Sequence, residues 1–240
     1  MKLLHCLIIG LLMMPGVVTG QKLLSVEEAT TAGANRRLVP SRIFATFDKN
    51  GKGVLVAQAN KLNCQDISTG TSTEVLNMDT INTQLTKMGL SALPSLRAYS
   101  QADAYFWFNV RNVLVKIKGG TSAIEDTICL PEKAENIDFI PEKAIFAYTI
   151  DNSLWVRNGK AKATCIGTAT CGDIVFGQSV HRNEFGITKG TFWNSNGTKL
   201  AFYKMDESMV TDYPIVNYLP RVSENESVKY PMAGMTSHKV

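Results

Sequence analysis

Two segments of the chain decide its fold: NIDFIPEKAIFAYTIDNSLWV at residues 136–156, and KGTFWNSNGTKLAFYKMDESMV at residues 189–210. The second segment can be aligned with the first. Each has an aromatic strand, a turn, an apolar strand that ends in an aromatic residue, and then an acidic turn. The segment YFWFNVRNVLVKI at residues 105–117 repeats the second half of this unit. The offsets of about 40 to 55 residues match one four-stranded propeller blade.

Short β-rich runs fill the rest of the chain, and Gly, Asn, Asp and Ser residues separate them. The clearest hairpin is FATFDKNGKGVLVAQ at residues 44–58, with its turn from Asp48 to Gly53. A weaker pattern with near-helical spacing runs from Thr73 to Gly89, and predicts either a short connecting helix or part of the first sheet. Further strands are predicted at residues 42–47, 54–57, 105–110, 113–117, 145–150 and 154–156.

The pattern predicts an all-β fold, because a four-stranded sheet cannot cover both of its faces and must stack against neighbouring sheets. A β-sandwich also has many short strands at such spacing. The repeat length favours a partial β-propeller, in which residues 41–240 supply about three to four blades.

The amino-terminal residues are typical of a secretory leader. Lys2 precedes an apolar run at residues 3–14, and small residues follow the break at Pro15 and Gly16. The alternative is a membrane anchor, but ~12 apolar residues are too few for a bilayer that needs roughly 20. We therefore predict a signal peptide at residues 1–20, a lead-in segment at residues 21–40, and export to the periplasm or the extracellular space.

Export changes the interpretation of the cysteines that follow the leader, which are Cys64, Cys129, Cys165 and Cys171. An oxidising compartment permits disulfides, and Cys165 and Cys171 in CIGTATC are close enough in sequence to close a small loop. Free buried thiols are the alternative. A metal site is disfavoured, because the spacing is not CxxC and no histidine is near.

The sequence lacks the features that are typical of several classes of protein. The formal net charge is +4 and no basic run is longer than Arg36–Arg37, which argues against a nucleic-acid partner. No GxSxG elbow, Walker loop, GxGxxG or HExxH is present, so the sequence predicts no catalytic residue, metal or cofactor. Asp48–Gly51 starts like a calcium loop, but the remaining ligand positions do not follow.

The motif HRNEFG at residues 181–186 holds a single acid, Glu184. At a blade edge, a carboxylate can accept charge-assisted hydrogen bonds from a protonated amine. The alternative is an ion pair with Arg182 or Lys189 in water, worth at most about 1 kcal/mol.

The segment that contains this motif resembles a known family. SVHRNEFGITKGTFWNSNGTKLAFYKMDESMVTDYPIVNY, at residues 179–218, and VKYPMAGMTSHKV, at residues 228–240, are similar to the amino-terminal β-propeller of bacterial dipeptidyl peptidase IV. That family consists of prolyl oligopeptidase-like serine exopeptidases. The similarity is specific over residues 140–240 and weaker over residues 42–139.

The resemblance implies an eight-bladed propeller that caps a C-terminal α/β-hydrolase domain. It also implies an acid pair that anchors the free amino terminus of a peptide substrate. That pair falls at Asn183 and Glu184, of which only Glu184 is an acid, so amine binding is expected to be weaker or shared with another group. The hydrolase domain and its triad do not occur within these 240 residues, so we expect the chain to be inactive alone. A non-catalytic secreted peptide-binding or interaction module is the alternative.

Overall fold

The computed structural model describes residues 25–26, 43–49, 51–180 and 184–240. The predicted signal peptide lies outside these residues, and so does the lead-in segment apart from residues 25 and 26. The chain divides into two compact units, residues 1–43 and 44–240, and the elements below belong to the second. Within the described ranges, no helix combines the length and the apolar character that a membrane crossing requires.

The first sheet contains four antiparallel strands that pair in chain order. The predicted hairpin is confirmed, since Phe44 faces Ala57 across the first strand pair and Phe47 faces Val54. The strands are β1 (Phe44–Phe47), β2 (Gly53–Gln58), β3 (Lys61–Asp66) and β4 (Ser72–Asn77).

A helix, α1 (Met78–Lys87), follows this sheet directly. Its start is fixed by Asn77, whose side chain accepts hydrogen bonds from the backbone N–H groups of Asp79 and Thr80 at 3.1 and 3.2 Å. The near-helical apolar pattern therefore spans two elements: its first members lie in β4 and the rest on α1. Both predicted alternatives hold in part.

The second and third sheets repeat the meander of the first. The repeat seen in the sequence is confirmed, because residues 105–117 and 145–156 both form the second and third strands of their sheets. The strands of the second sheet are β5 (Ser100–Ala102), β6 (Tyr105–Val110), β7 (Val113–Lys118) and β8 (Ala123–Cys129). Those of the third are β9 (Glu135–Ile140), β10 (Ile145–Ile150), β11 (Ser153–Asn158) and β12 (Thr164–Gly167).

The second sheet is buried on both faces. Phe106 and Phe108 of β6 pack into a core shared with the first sheet and α1. Trp107 points the other way into a core shared with the third sheet, where its ring meets Phe139 edge-on at 5.1 Å. This explains why YFWFNV shows no polar alternation. Meander sheets stacked face to face in chain order form a propeller rather than a two-layer sandwich.

A fourth sheet is partly built within the described residues. Strand β13 pairs with β16, strand β14 pairs with β15, and Asp206 exchanges two backbone hydrogen bonds with Lys239. Three full blades and part of a fourth agree with the predicted three to four. The strands are β13 (Ile174–Phe176), β14 (Thr191–Trp193), β15 (Leu200–Phe202) and β16 (Lys204–Asp206).

A hairpin of β17 (Asp212–Asn217) and β18 (Glu224–Lys229) extends from the fourth sheet. Lys229 fixes its base by ion pairs with Asp173 and Asp212, both at 3.4 Å. The hairpin and its turn expose large apolar side chains, namely Tyr213, Ile215, Val216, Tyr218, Leu219 and Val222.

Candidate functional site

In the fourth sheet, β13 and β14 are two parts of one strand that is interrupted by an insertion. Their partner strands, β15 and β16, form one continuous run through Tyr203. The Gly177 N–H donates to the Tyr203 carbonyl at 2.9 Å, and the Tyr203 N–H donates to the Gly190 carbonyl at 2.9 Å. Residues 177 and 190 thus meet opposite a single residue, and residues 178–189 leave the sheet between them. We call residues 178–189 the inserted loop.

Two glycines close the neck of the inserted loop. Gly177 has a φ of +69°, and a Cβ placed there would lie 2.8 Å from Leu154 Cδ1. A Cβ placed on Gly190 would overlap the carbonyl oxygen of Gln178 and lie 2.6 Å from its backbone nitrogen. Gly190 has no room for a side chain, because it is in direct contact with the backbone of Gln178 at the other end of the loop. Gly177 is favoured by its left-handed conformation, and the side chains of Leu154 and Thr191 crowd it.

Both ends of the inserted loop are bonded to the third sheet. At the outgoing end, Gln178 Nε2 donates to the Asp151 carbonyl at 3.1 Å, in the turn between β10 and β11. At the returning end, Lys189 Nζ lies 3.2 Å from both carboxylate oxygens of Asp138 on β9, and Thr191 Oγ1 donates to Asp138 Oδ2 at 3.0 Å. The Asp138 side chain is only 17% exposed, so this contact is partly shielded from solvent.

The two limbs of the loop are also tied to each other and to the core. Ser179 Oγ donates to the Ile187 carbonyl at 2.6 Å. Val180 is buried beside Val175 and Met205 in the small core of the fourth sheet. The limbs are therefore held as far as Val180 on the outgoing side and from Ile187 on the returning side.

The tip carries the residues predicted to bind substrate. Asn183 lies outside the described residues, and so does the side chain of Glu184. The backbone of Glu184 begins a single 3₁₀ turn, Glu184–Gly186, in which Phe185 has a φ of +54° and a side chain that is 87% exposed. The binding roles of Asn183 and Glu184 thus stay predictions. Asp138 and Gln178, which hold the loop, were not predicted from the sequence.

The cysteines and acidic groups elsewhere add no second site. All four described cysteines are free thiols, and Cys165 Sγ lies 3.4 Å from Thr168 Oγ1, so the pairing of Cys165 with Cys171 stays a prediction. Burial raises the pKa of the Cys64 thiol. In the part of the chain that the structure describes, no three His, Cys, Asp or Glu side chains are grouped as metal ligands would be.

An aromatic crevice of about 280 Å³ lies where the second and third sheets meet, lined by Tyr99, Trp107 and Phe139 among others. Tyr99 Oη and Trp107 Nε1 are buried, and neither has a hydrogen-bond partner among the described residues. Burial, reinforced by the charge of Asp48, raises the pKa of Tyr99 to about 12. The sequence offered no indication of this crevice.

Comparison with known proteins shows which family the chain is similar to. Residues 92–240 match the family described as the dipeptidyl peptidase IV N-terminal region. The chain is 30% identical over 110 residues to a probable dipeptidyl-aminopeptidase B of Talaromyces marneffei, and 31% identical over 110 residues to one of Ajellomyces dermatitidis. Each match covers 39% of this chain but only 12% of the relative, so the chain spans a small part of their length.

Two solved structures are similar over most of the chain. A Bacteroides ovatus protein, classified as a dipeptidyl aminopeptidase IV, is 36% identical with a TM-score of 0.66, over 83% of this chain and 28% of the other. Dipeptidyl peptidase 4 of Porphyromonas gingivalis is 15% identical with a TM-score of 0.62, over 91% and 33% respectively. At 15% identity the likeness concerns the fold alone.

Proposed function

Because the chain belongs to the family of dipeptidyl peptidase IV N-terminal regions, we propose that it is the substrate-recognising portion of a serine exopeptidase of that type. In this proposal, a hydrolase domain C-terminal to the propeller supplies the catalytic triad. The complete enzyme then releases X-Pro dipeptides from the amino termini of peptides, and residues 1–20 direct the protein out of the cytoplasm.

Glu184 is the residue proposed to hold the substrate. Its carboxylate accepts hydrogen bonds from the protonated amino terminus of the peptide, and such charge-assisted bonds are about twice as strong as neutral ones. Asn183 offers an amide oxygen without the charge, which makes it a weaker partner. Anchoring the amino terminus fixes the register of the peptide, so that the second peptide bond is presented for cleavage.

The observation that carries this proposal is the inserted loop. A carboxylate can fix the position of an amine only if the backbone of the residue that carries the carboxylate is itself held in place. The loop leaves an otherwise continuous strand through a closed neck, and its two ends are bonded to Asp138 and Asp151 of the neighbouring sheet. It therefore presents Glu184 from a fixed base.

A binding measurement on the full chain tests the proposal. Fluorescently labelled Ala-Pro peptides with a free or an acetylated amino terminus are titrated with the protein and followed by anisotropy. We expect the free amine to bind more tightly, and Glu184→Gln to weaken its binding roughly tenfold or more, since hydrogen bonds to charged groups contribute about 1.5–3 kcal/mol. Glu224→Gln, on the exposed hairpin, is the matched control. Equal binding of the two peptides would refute the role of Glu184.

A second candidate is a secreted interaction module that takes no part in proteolysis. The exposed apolar side chains of the β17–β18 hairpin favour it, since contiguous apolar patches mark interaction sites. The candidates separate in two assays. Recognition requires amine-dependent peptide binding that Glu184→Gln weakens, whereas an interaction module shows self-association or partner binding that Leu219→Glu weakens. Hydrolysis of a Gly-Pro chromogenic substrate by this chain alone would contradict the expectation that it is inactive.

A further inference from the structure

The returning end of the inserted loop meets the third sheet at one partly buried carboxylate, that of Asp138. Asp138 is on β9, yet it binds both the Lys189 ammonium and the Thr191 hydroxyl, which flank Gly190 on either side of the loop neck. The Trp193 indole also donates to the backbone carbonyl of Asp138, at 3.4 Å. Three alternate residues, Lys189 at the end of the loop and Thr191 and Trp193 on β14, thus bond to one residue of the neighbouring blade.

The neck itself cannot set the direction in which the loop projects. Backbone contact between Gln178 and Gly190 closes the base, but a loop hinged at two glycines can still tilt about that base. Tilt is prevented where side chains bond the limbs of the loop to a neighbouring sheet. The returning limb has such a hold at Asp138, and the outgoing limb has one where Gln178 bonds the Asp151 carbonyl.

From this geometry we propose that Asp138 is a positioning residue for amine recognition: it ties the returning limb to the third blade and so fixes where Glu184 meets the peptide. The inference rests on the proposed function of Glu184. It assigns no contact between Asp138 and the peptide, since the Asp138 carboxylate is occupied by Lys189 and Thr191.

Two substitutions separate the contacts of Asp138. Asp138→Asn keeps an oxygen that can accept from Thr191, but removes the charge that holds Lys189. Thr191→Val removes the hydroxyl and leaves the ion pair in place. Asp126→Asn is the matched control, because Asp126 is also a carboxylate paired with a lysine, Lys160, but belongs to the second sheet.

The first measurement reports the loop directly and needs no peptide. Limited trypsin digestion of the 240-residue chain is followed at the bond after Lys189, by mass spectrometry. We expect Asp138→Asn to speed this cleavage roughly tenfold, because local opening governs proteolysis and the ion pair holds the limb closed. Thr191→Val should act in the same direction and Asp126→Asn should have no effect. Unchanged cleavage in Asp138→Asn overturns the positioning role, whatever the peptide assay shows.

The second measurement asks whether Asp138 acts through Glu184. We expect Asp138→Asn to weaken binding of the free-amine Ala-Pro peptide about tenfold, because the loosened loop must be ordered again on binding. In the Glu184→Gln background the same substitution should have no further effect, as a double-mutant cycle requires of coupled residues. Equal losses in both backgrounds would show that Asp138 acts independently of Glu184, and overturn the proposal.

The two measurements distinguish the failure of each idea. If cleavage accelerates but Glu184→Gln leaves peptide binding unchanged, the proposed function fails, and Asp138 is shown to hold a loop that does not recognise amines. If cleavage accelerates and the double-mutant cycle shows coupling, both proposals are supported.

Discussion

Replacing Gly190 by alanine tests the closed neck of the inserted loop. A Cβ at this position would overlap the carbonyl oxygen of Gln178 and lie 2.6 Å from its backbone nitrogen, whereas ordinary contacts begin at 3.4 Å. The obstructing atoms belong to the backbone, so no side-chain rotation can relieve the overlap. The two ends of the loop must separate.

The expected cost follows from two contributions. Forcing a methyl group into a closed contact costs about 1–3 kcal/mol. Separating the strands also strains the hydrogen bond from the Tyr203 N–H to the Gly190 carbonyl, worth about 1 kcal/mol. A total near 3 kcal/mol should lower the Tm by roughly 6 to 12 °C in a unit of this size.

Thermal unfolding followed by circular dichroism measures the effect. Gly172→Ala is the matched control, since Gly172 lies just before β13 and a Cβ there would meet nothing within 4 Å. The control should leave the Tm within about 2 °C of the unmodified chain, as expected for a surface substitution. A Gly190→Ala variant that unfolds at the same temperature as the control would refute the closed neck.

Three further predictions concern the rest of the molecule. Phe108→Ala should destabilise the chain by about 3–5 kcal/mol, because the ring is fully buried between the first two sheets, whereas Phe192→Ala at a 40% exposed position should cost much less in urea denaturation. Tyr99, with its pKa raised to about 12, should ionise near pH 12 in a spectrophotometric titration. Its folded pKa exceeds the ordinary value, so the stability it contributes is present below pH ~10 and is lost as the pH rises towards 12; Tyr99→Phe should remove this dependence. Cys165 and Cys171 should pair when the protein is oxidised, which intact-mass measurement detects as the loss of two hydrogens; a thiol assay that still counts both would contradict it.

The sequence predicted the sheets well, for a physical reason. Turn residues separate short β-rich runs, and the length of the repeat corresponds to one complete meander. The segment at residues 73–89 was ambiguous, because β4 ends and α1 begins at Asn77 without a loop between them. The N-cap contacts of Asn77 resolve the boundary, and such contacts are visible only in the structure.

The inserted loop was harder to predict. β13 and β14 are separate short runs in the sequence, and nothing local shows that both pair along one continuous partner strand. The pairing depends on Tyr203, which bonds residues on both sides of the insertion. Asp138 is still more remote, since it lies in the preceding repeat and its partners come 51 and 53 residues later. The glycines at 177 and 190 are the one sequence feature that could have indicated the neck.

The closed neck also separates the evolution of the loop from that of the blade. Because residues 178 and 190 are already in backbone contact, the pairing of the sheet does not depend on how many residues lie between them. Lengthening a loop with fixed ends costs only about 0.6 kcal/mol for each doubling of its length. Insertions or deletions between the two ends of the loop can therefore be accommodated, while the propeller that carries the loop keeps its pairing and its core.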